Sequence, residues 1–313
     1  MITVRTMEKA DYPDVLALLN AQTGGSRTLE QYIQTIAEYP AHLEIERLVA
    51  FLPDGRFAGY GVAGADDEQA EHHFFVVIRV DEACRNQGAG TALLQALAGW
   101  ARSRGAVCLE GTLRPDLAGE LLGWCARRGF VTEGDVLRSV LKLDGWEPGA
   151  LAASVTAAEK RGIRFVTLEE LGAGEENLRR FHRLCNELHH DVPGRGPHLP
   201  YQYEAWREKI TGSPAWDPSC VLLALDGEAW AALSFFEPQP DGSWYTYLTG
   251  VHRDHRGKGL GTAVKVAAVM LAARRGVPYV STFNHVVNAP MLAINNQLGY
   301  QPDFTVRQIN LPL

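Results

Sequence analysis

Two short runs hold the residue types and spacing best suited to chemistry. Arg85-Asn86-Gln87-Gly88-Ala89-Gly90-Thr91-Ala92 recurs as Arg256-Gly257-Lys258-Gly259-Leu260-Gly261-Thr262-Ala263, at an offset of 171 positions (256 minus 85). Each run follows an apolar, strand-like segment and opens a long apolar helix that ends in Arg104-Gly105 or Arg275-Gly276. Backbone N–H groups gathered at a helix N-terminus attract anions, because the helix dipole is positive there and the first N–H groups lack partners. Both runs therefore read as phosphate cradles. They are not dinucleotide fingerprints, since Leu93, Thr262 and Val264 stand where that pattern needs glycine. Nor is Gly257-Lys258 a P-loop: His252 replaces the upstream glycine, and no Ser or Thr follows the lysine.

Matching landmarks extend beyond the cradles. Thr6-Met7-Glu8 answers to Thr167-Leu168-Glu169, Asp54-Gly55 to Asp226-Gly227, and Gly129-Phe130 to Gly299-Tyr300, all in the same order. A period this long indicates a duplicated domain, not a solenoid of roughly 20–50-residue repeats. The length of 313 residues agrees with two domains of roughly 150 residues each. The expected division is 1–146 for the first domain, 147–161 for a linking helix and 162–313 for the second domain. Hydrophobic periodicity gives each half the order β-α-α-β-β-β-α-β-α-β-β. In the first half, Asp11 is expected to cap the first helix, and Phe74–Val80 reads as a buried central strand. Leu93, Leu94, Leu97, Trp100 and Ala101 share one helix face. The fold class is α/β, with helices on both faces of each sheet.

The formal net charge of −7 argues against a nucleic-acid partner. Cys84, Cys108, Cys125, Cys185 and Cys220 are scattered without a C-x-x-C pair, which predicts free thiols in a reducing compartment. The N-terminus lacks a signal-peptide core, and no apolar run approaches the roughly 20 residues that span a bilayer. A soluble, cytoplasmic protein without a membrane partner is expected.

An arginine-led R-x-x-G-x-G loop after a buried strand resembles the GNAT superfamily of N-acetyltransferases, and the resemblance covers both halves. It implies two tandem GNAT-like domains, each a mixed, largely antiparallel central sheet flanked by helices. It also implies acetyl-coenzyme A as cofactor, its pyrophosphate held by the loop and its pantetheine arm received where the preceding strand splays from its neighbour. The positions that match are Arg85, Gln87, Gly88, Ala89, Gly90 and Thr91, and Arg256, Gly257, Lys258, Gly259, Leu260, Gly261 and Thr262. Val80 and Val251 end the strands whose backbone faces the thioester in that family. The second half is further similar to the C-terminal halves of tandem enzymes such as mycothiol synthase, through Thr249-Gly250-Val251, Thr282-Phe283-Asn284, Asn288, Met291, Asn295 and Leu298-Gly299-Tyr300. Asn288 joins the cofactor-binding candidates on that ground.

Acetyl transfer to an amine needs a base, because a free alkylamine has a pKa of about 10. It also needs an N–H donor at the thioester oxygen and a favourable fate for the departing thiolate. Candidate bases are Glu237, Tyr247, His252 and the run His189-His190-Asp191. That run also resembles half a metal site, but the remaining ligands are missing, so no metal is expected. Many family members carry a tyrosine acid at a position that here is Cys125 or Asn295. Neither is a good acid, although Asn295 can donate a hydrogen bond. The segment from Pro193 to Pro197 is a candidate acceptor loop. The expected activity is acetyl-coenzyme A-dependent N-acetyl transfer to a small-molecule amine by direct attack. The alternatives are a non-catalytic acyl-coenzyme A sensor, or one active half with the other as scaffold. Two fused copies can stand in for a homodimer, which favours a monomer; a homodimer is the alternative.

Overall fold

The computed structural model describes residues 1–37, 39, 43–65, 72–114, 119–193, 200, 202–213 and 215–313. The chain forms two compact units, Met1–Glu133 with Arg307–Leu313, and Gly134–Val306.

In chain order the first half contains β1 (Thr3–Thr6), α1 (Tyr12–Thr23), α2 (Leu29–Ala37), β2 (Ile45–Phe51), β3 (Phe57–Ala65) and β4 (His73–Val80). It continues with α3 (Ala89–Ser103), β5 (Cys108–Leu113), α4 (Gly119–Ala126) and β6 (Val131–Lys142). The apolar stripe of α3 is buried as its spacing demands, with Leu93, Leu97 and Ala101 fully covered. It packs on Ala58, Ala63, Phe74 and Val76 of the sheet, while α1 and α2 share a second cluster with Val49, Tyr60 and Val62. Asp11 precedes α1, but its carboxylate does not cap the helix. It accepts instead from both Arg5 guanidinium nitrogens and the Glu8 N–H, each at 2.7 Å. These contacts hold its pKa below the usual carboxylate range.

The second half contains α5 (Ala152–Glu159), β7 (Ile163–Thr167), α6 (Leu168–Leu171), α7 (Glu175–His190), α8 (Tyr203–Thr211), β8 (Val221–Asp226), β9 (Ala229–Pro238) and β10 (Trp244–Val251). It ends with α9 (Leu260–Arg274), β11 (Tyr279–His285), α10 (Ala289–Leu298) and β12 (Gln301–Pro312). The helix α9 is buried on nearly every side: its Leu260, Ala263 and Val264 share one cluster with Ala158 of α5 and with Ala224, Ala231 and Ala232 of the sheet.

Each half ends in one long strand, not the two strands expected. The limits of the units fall within those two strands. Val136–Lys142 of β6 pair antiparallel with β11 in the second unit, and Arg307–Pro312 of β12 pair antiparallel with β5 in the first. The expected division at 147–161 partitions the repeat along the sequence; each unit takes its last strand from the other half of that sequence. An open strand edge must find a hydrogen-bonding partner, and a copy of the same fold offers an equivalent one.

Candidate active site

Within each unit, the central strand and its parallel neighbour separate. Strand β4 pairs with β5 only at His73–Cys108, Phe74–Leu109 and Phe75–Glu110. Strand β10 pairs with β11 only at Trp244–Val280, Tyr245–Ser281 and Thr246–Thr282. Beyond those pairs the two strands diverge and leave a cleft that leads to the cradle.

The cradles owe their shape to left-handed residues. Gly88 and Gly259 are the N-caps of α3 and α9, with φ of 95° and 71°. Two residues earlier Asn86 and Gly257 also have positive φ, 60° and 74°. Asparagine is one of the few non-glycine residues that tolerate this region. The turns aim the first N–H groups of each helix outward. Gly90 and Gly261 lie at the cleft mouth. A Cβ at Gly90 would stand 3.4 Å from Val80 Cγ2, and one at Gly261 would stand 3.5 Å from Val251 Cγ2. These features fit a diphosphate lying against helix N-termini.

Neighbouring side chains differ between the units. Arg85 is exposed and pairs with Glu82 at 3.2 Å. Arg128 reaches the first cradle from the end of α4, its guanidinium 2.5 Å from Thr91 Oγ1 and over the Trp124 ring. The Gln22 amide donates to the Val80 carbonyl at 2.8 Å. In the second unit Arg256 donates to the Val251 carbonyl at 3.0 Å and to Asp191 Oδ2 at 2.5 Å. That pairing lowers the Asp191 pKa. Beside this cradle a cavity of about 200 Å³ is lined by Arg161, Lys258, His255 and Leu260, among others. Sequence reasoning missed Gln22, Arg128 and Arg161, because each reaches its cradle from a distant element, and it named Asp191 as a candidate base without its tie to Arg256.

The second cleft also has a bulge. The β9–β10 register shifts between Thr246 and Leu248, which leaves Tyr247 as an extra residue. Strand β4 pairs with β3 without any shift. The bulge follows Thr246, the last residue of β10 paired with β11. Bulges re-aim backbone groups and recur next to active sites.

The structure places Tyr247 against His189 and Phe235, with ring centroids 5.5 and 5.4 Å away. Glu237 stands opposite Tyr245 in the ladder, and Tyr245 lines an open cavity of about 570 Å³ with Arg138, Asp241, Ser281 and Phe283. His252 is paired with Glu187 at 3.0 Å. Asn295 is 2% exposed and donates to Asn284 Oδ1 at 2.7 Å, while its own Oδ1 is buried without a partner. The equivalent Cys125 is buried, which pushes its thiol pKa up to about 11. Asn288 caps α10, accepting from the Met291 N–H at 3.3 Å. Of the candidate acceptor loop, residues 194–197 lie outside the described residues. Among the described residues no group of three or more His, Cys, Asp or Glu could hold a metal ion, and no helix is long and apolar enough to cross a membrane. All five cysteines are buried and unbonded.

Comparison with known proteins accords with this geometry. The sequence matches the Acetyltransferase (GNAT) family over residues 12–125 and again over 181–300. It is 29% identical over 259 residues to a mycothiol acetyltransferase of Clavibacter michiganensis subsp. michiganensis, spanning 79% of this chain and 74% of that protein. The fold resembles a GCN5-related N-acetyltransferase from Sphaerobacter thermophilus, with TM-score 0.72 and 18% identity over 99% of this chain and 95% of that one. It also resembles a tandem GNAT protein from the clavulanic acid biosynthesis pathway, with TM-score 0.70 and 20% identity over 100% of this chain and 98% of that one. At such identities the structural likeness speaks for fold alone. The family matches fall on both cradles and both splayed strand pairs, and on that ground the chain belongs to the GNAT family of acetyltransferases and is an acyltransferase with tandem GNAT repeats.

Proposed function

We propose that the chain transfers an acetyl group from acetyl-coenzyme A to the amine of a small molecule, and that the second unit performs the chemistry. The observation that carries this reading is the bulge at Tyr247, set where β10 leaves β11 and without counterpart in β4. Acetyl-coenzyme A supplies, when bound, an acyl group activated as a thioester. Gly257, Lys258, Gly259, Leu260, Gly261 and Thr262 hold its diphosphate by backbone N–H groups, with Arg256 as an adjacent cation. Arg161 and Lys258 add positive charge in the small cavity beside the cradle. Asn295 Oδ1, buried and unpartnered, accepts an N–H from the pantetheine arm.

The bulge takes the Tyr247 backbone out of the ladder, which supports its N–H as the donor to the thioester oxygen. Glu237 takes the proton of the attacking amine. Its place in the ladder opposite Tyr245, which lines the larger cavity, supports an acceptor that enters there. The similarity to a mycothiol acetyltransferase supports an acceptor of small-molecule size.

A second role is favoured for the first unit. Gln22 occupies the Val80 carbonyl, β4 has no bulge, and Cys125 replaces the asparagine. These features support a unit that holds the coenzyme or scaffolds the fold without turnover. The test is thiol release from acetyl-coenzyme A over a panel of amines. Glu237→Gln is expected to lower kcat by roughly 10²–10⁴ with coenzyme affinity unchanged. Coenzyme binding without thiol release for any amine would leave a sensor; full activity in the variant would remove Glu237 as base.

A further inference from the structure

We propose that Lys265 is a positioning residue for acyl transfer in the second unit: held on the Thr246 hydroxyl at the root of the cleft, it favours the thiolate form of the coenzyme sulfur. The proposal rests on the reading above that acetyl-coenzyme A enters this cleft.

Lys265 lies in α9 and is 1% exposed. Its Nζ donates to Thr246 Oγ1 at 3.2 Å and stands 5.4 Å from the centroid of the Tyr300 ring. The Tyr300 hydroxyl is itself buried, with the Thr246 hydroxyl as its polar neighbour. Thr246 is the last residue of β10 paired with β11, and the bulge follows it. The polar trio thus lies at the point where the cleft begins.

The repeat shows that the fold does not require it. Lys265 falls nine residues after Arg256, as Leu94 does after Arg85. Tyr300 follows Gly299 as Phe130 follows Gly129. Thr246 pairs with Phe236, four residues along β9 from the partner of Val251; Val76 pairs with Ala63, four residues along β3 from the partner of Val80. The counterparts are therefore Leu94, Val76 and Phe130, all members of one apolar cluster. Burying an ammonium group without a counter-charge is costly, and a cost that the sister unit avoids points to function.

Among the described residues no carboxylate offsets the charge. Glu237 alternates to the face opposite Phe236, the ladder partner of Thr246. Asp226 on β8 pairs with His255, and Glu159 on α5 is exposed. Among the described residues on the packed elements, Tyr300 is the titratable group that faces Nζ. Burial alone brings the amine down to about 7, so it gains and loses its proton near neutrality.

During transfer the new C–N bond forms as the C–S bond breaks. The electron pair of the C–S bond stays on sulfur, and Glu237 takes the proton that the amine sheds. An ammonium has no acceptor site, so Thr246 must accept from Nζ, and the threonine's own hydrogen points away from the lysine, to be shared between the Tyr300 oxygen and a sulfur in the cleft. Lys265 thereby holds positive charge and a directed hydroxyl beside the place where negative charge collects.

The test uses coenzyme A itself. Calorimetry reports binding, and ultraviolet absorbance of the thiolate reports its titration. A free thiol titrates near about 8.5. In the wild-type protein one bound equivalent is expected to titrate about one to three units lower. Lys265→Met should keep coenzyme binding and abolish the shift, and Lys265→Arg should retain part of it. Leu94 fills the matching position in the first unit, so methionine fits; if that variant fails to fold, Thr246→Val decides in its place and should also lose the shift. A wild-type thiol that titrates like the free coenzyme, or a shift that survives in Lys265→Met or Thr246→Val, overturns the proposal. No heat on mixing overturns the underlying reading and this proposal with it; binding with an unshifted thiol overturns only this proposal.

Discussion

The Arg256 guanidinium is 2.5 Å from Asp191 Oδ2, so the end of α7 is tied to the mouth of the second cradle. Arg253 stands 3.7 Å from the same oxygen. A carboxylate thus sits beside a site shaped for anions, and it competes for the arginine.

That competition gives opposite effects for the two partners. Arg256→Ala removes a charge-assisted bond and is expected to weaken coenzyme A binding by about 1.5–3 kcal/mol. Asp191→Asn leaves the arginine unpaired and removes nearby negative charge, so binding should tighten. Titration calorimetry on both variants checks this. If both variants weaken binding, the pair acts as a structural tie and not as a competitor.

Gly261 separates cradle function from helix stability. A Cβ there meets only ordinary contacts, Val251 Cγ2 at 3.5 Å and Ile294 Cδ1 at 3.8 Å. Gly261→Ala should therefore fold and gain up to about 1 kcal/mol from helix propensity. The same methyl group narrows the mouth between β10 and α10, so coenzyme binding should fall by about tenfold, about 1.4 kcal/mol. Thermal unfolding and calorimetry on one sample separate the two effects. Unchanged affinity would place the diphosphate away from this glycine.

Lys265 makes stability depend on pH with a definite sign. Its pKa is near 10.5 in the unfolded chain and about 7 in the folded protein. Between those values the unfolded chain binds more protons, so this group lowers stability as pH falls from about 10.5 to about 7, and its effect is constant below that. Lys265→Met removes the dependence. The variant should melt higher than the wild type at pH 7, and the gap should close as pH approaches 10. A gap that does not vary between pH 7 and 10 would show that Lys265 keeps in the folded protein the pKa it has in the unfolded chain. Higher stability together with loss of the thiol shift would fit the usual opposition between a stable core and a strained site.

Much of the architecture was legible in the residues. The cradles, the central strands and the amphipathic face of α3 follow from local periodicity, glycine placement and dipole chemistry, which act over a few residues. The partners of those elements were less legible. Asp11 has the sequence of a helix cap, yet it serves Arg5 and the Glu8 N–H. Asn288, a cofactor candidate through resemblance, has in the fold a capping role on α10 that the sequence analysis did not assign to it. A side chain with several possible hydrogen-bond donors nearby is assigned by whichever one packing brings closest.

By itself the sequence determined that one αβ plan was written twice, each copy with an anion-binding turn before a buried helix. Only the tertiary structure decided that each unit takes its last strand from the other half of the sequence, that β10 bulges at Tyr247, and that Lys265 is sealed beneath Thr246. The reason is physical: turns and helix faces depend on neighbours along the chain. The partner of a last strand, a register shift and the burial of a charge depend on groups that meet only after the chain has folded.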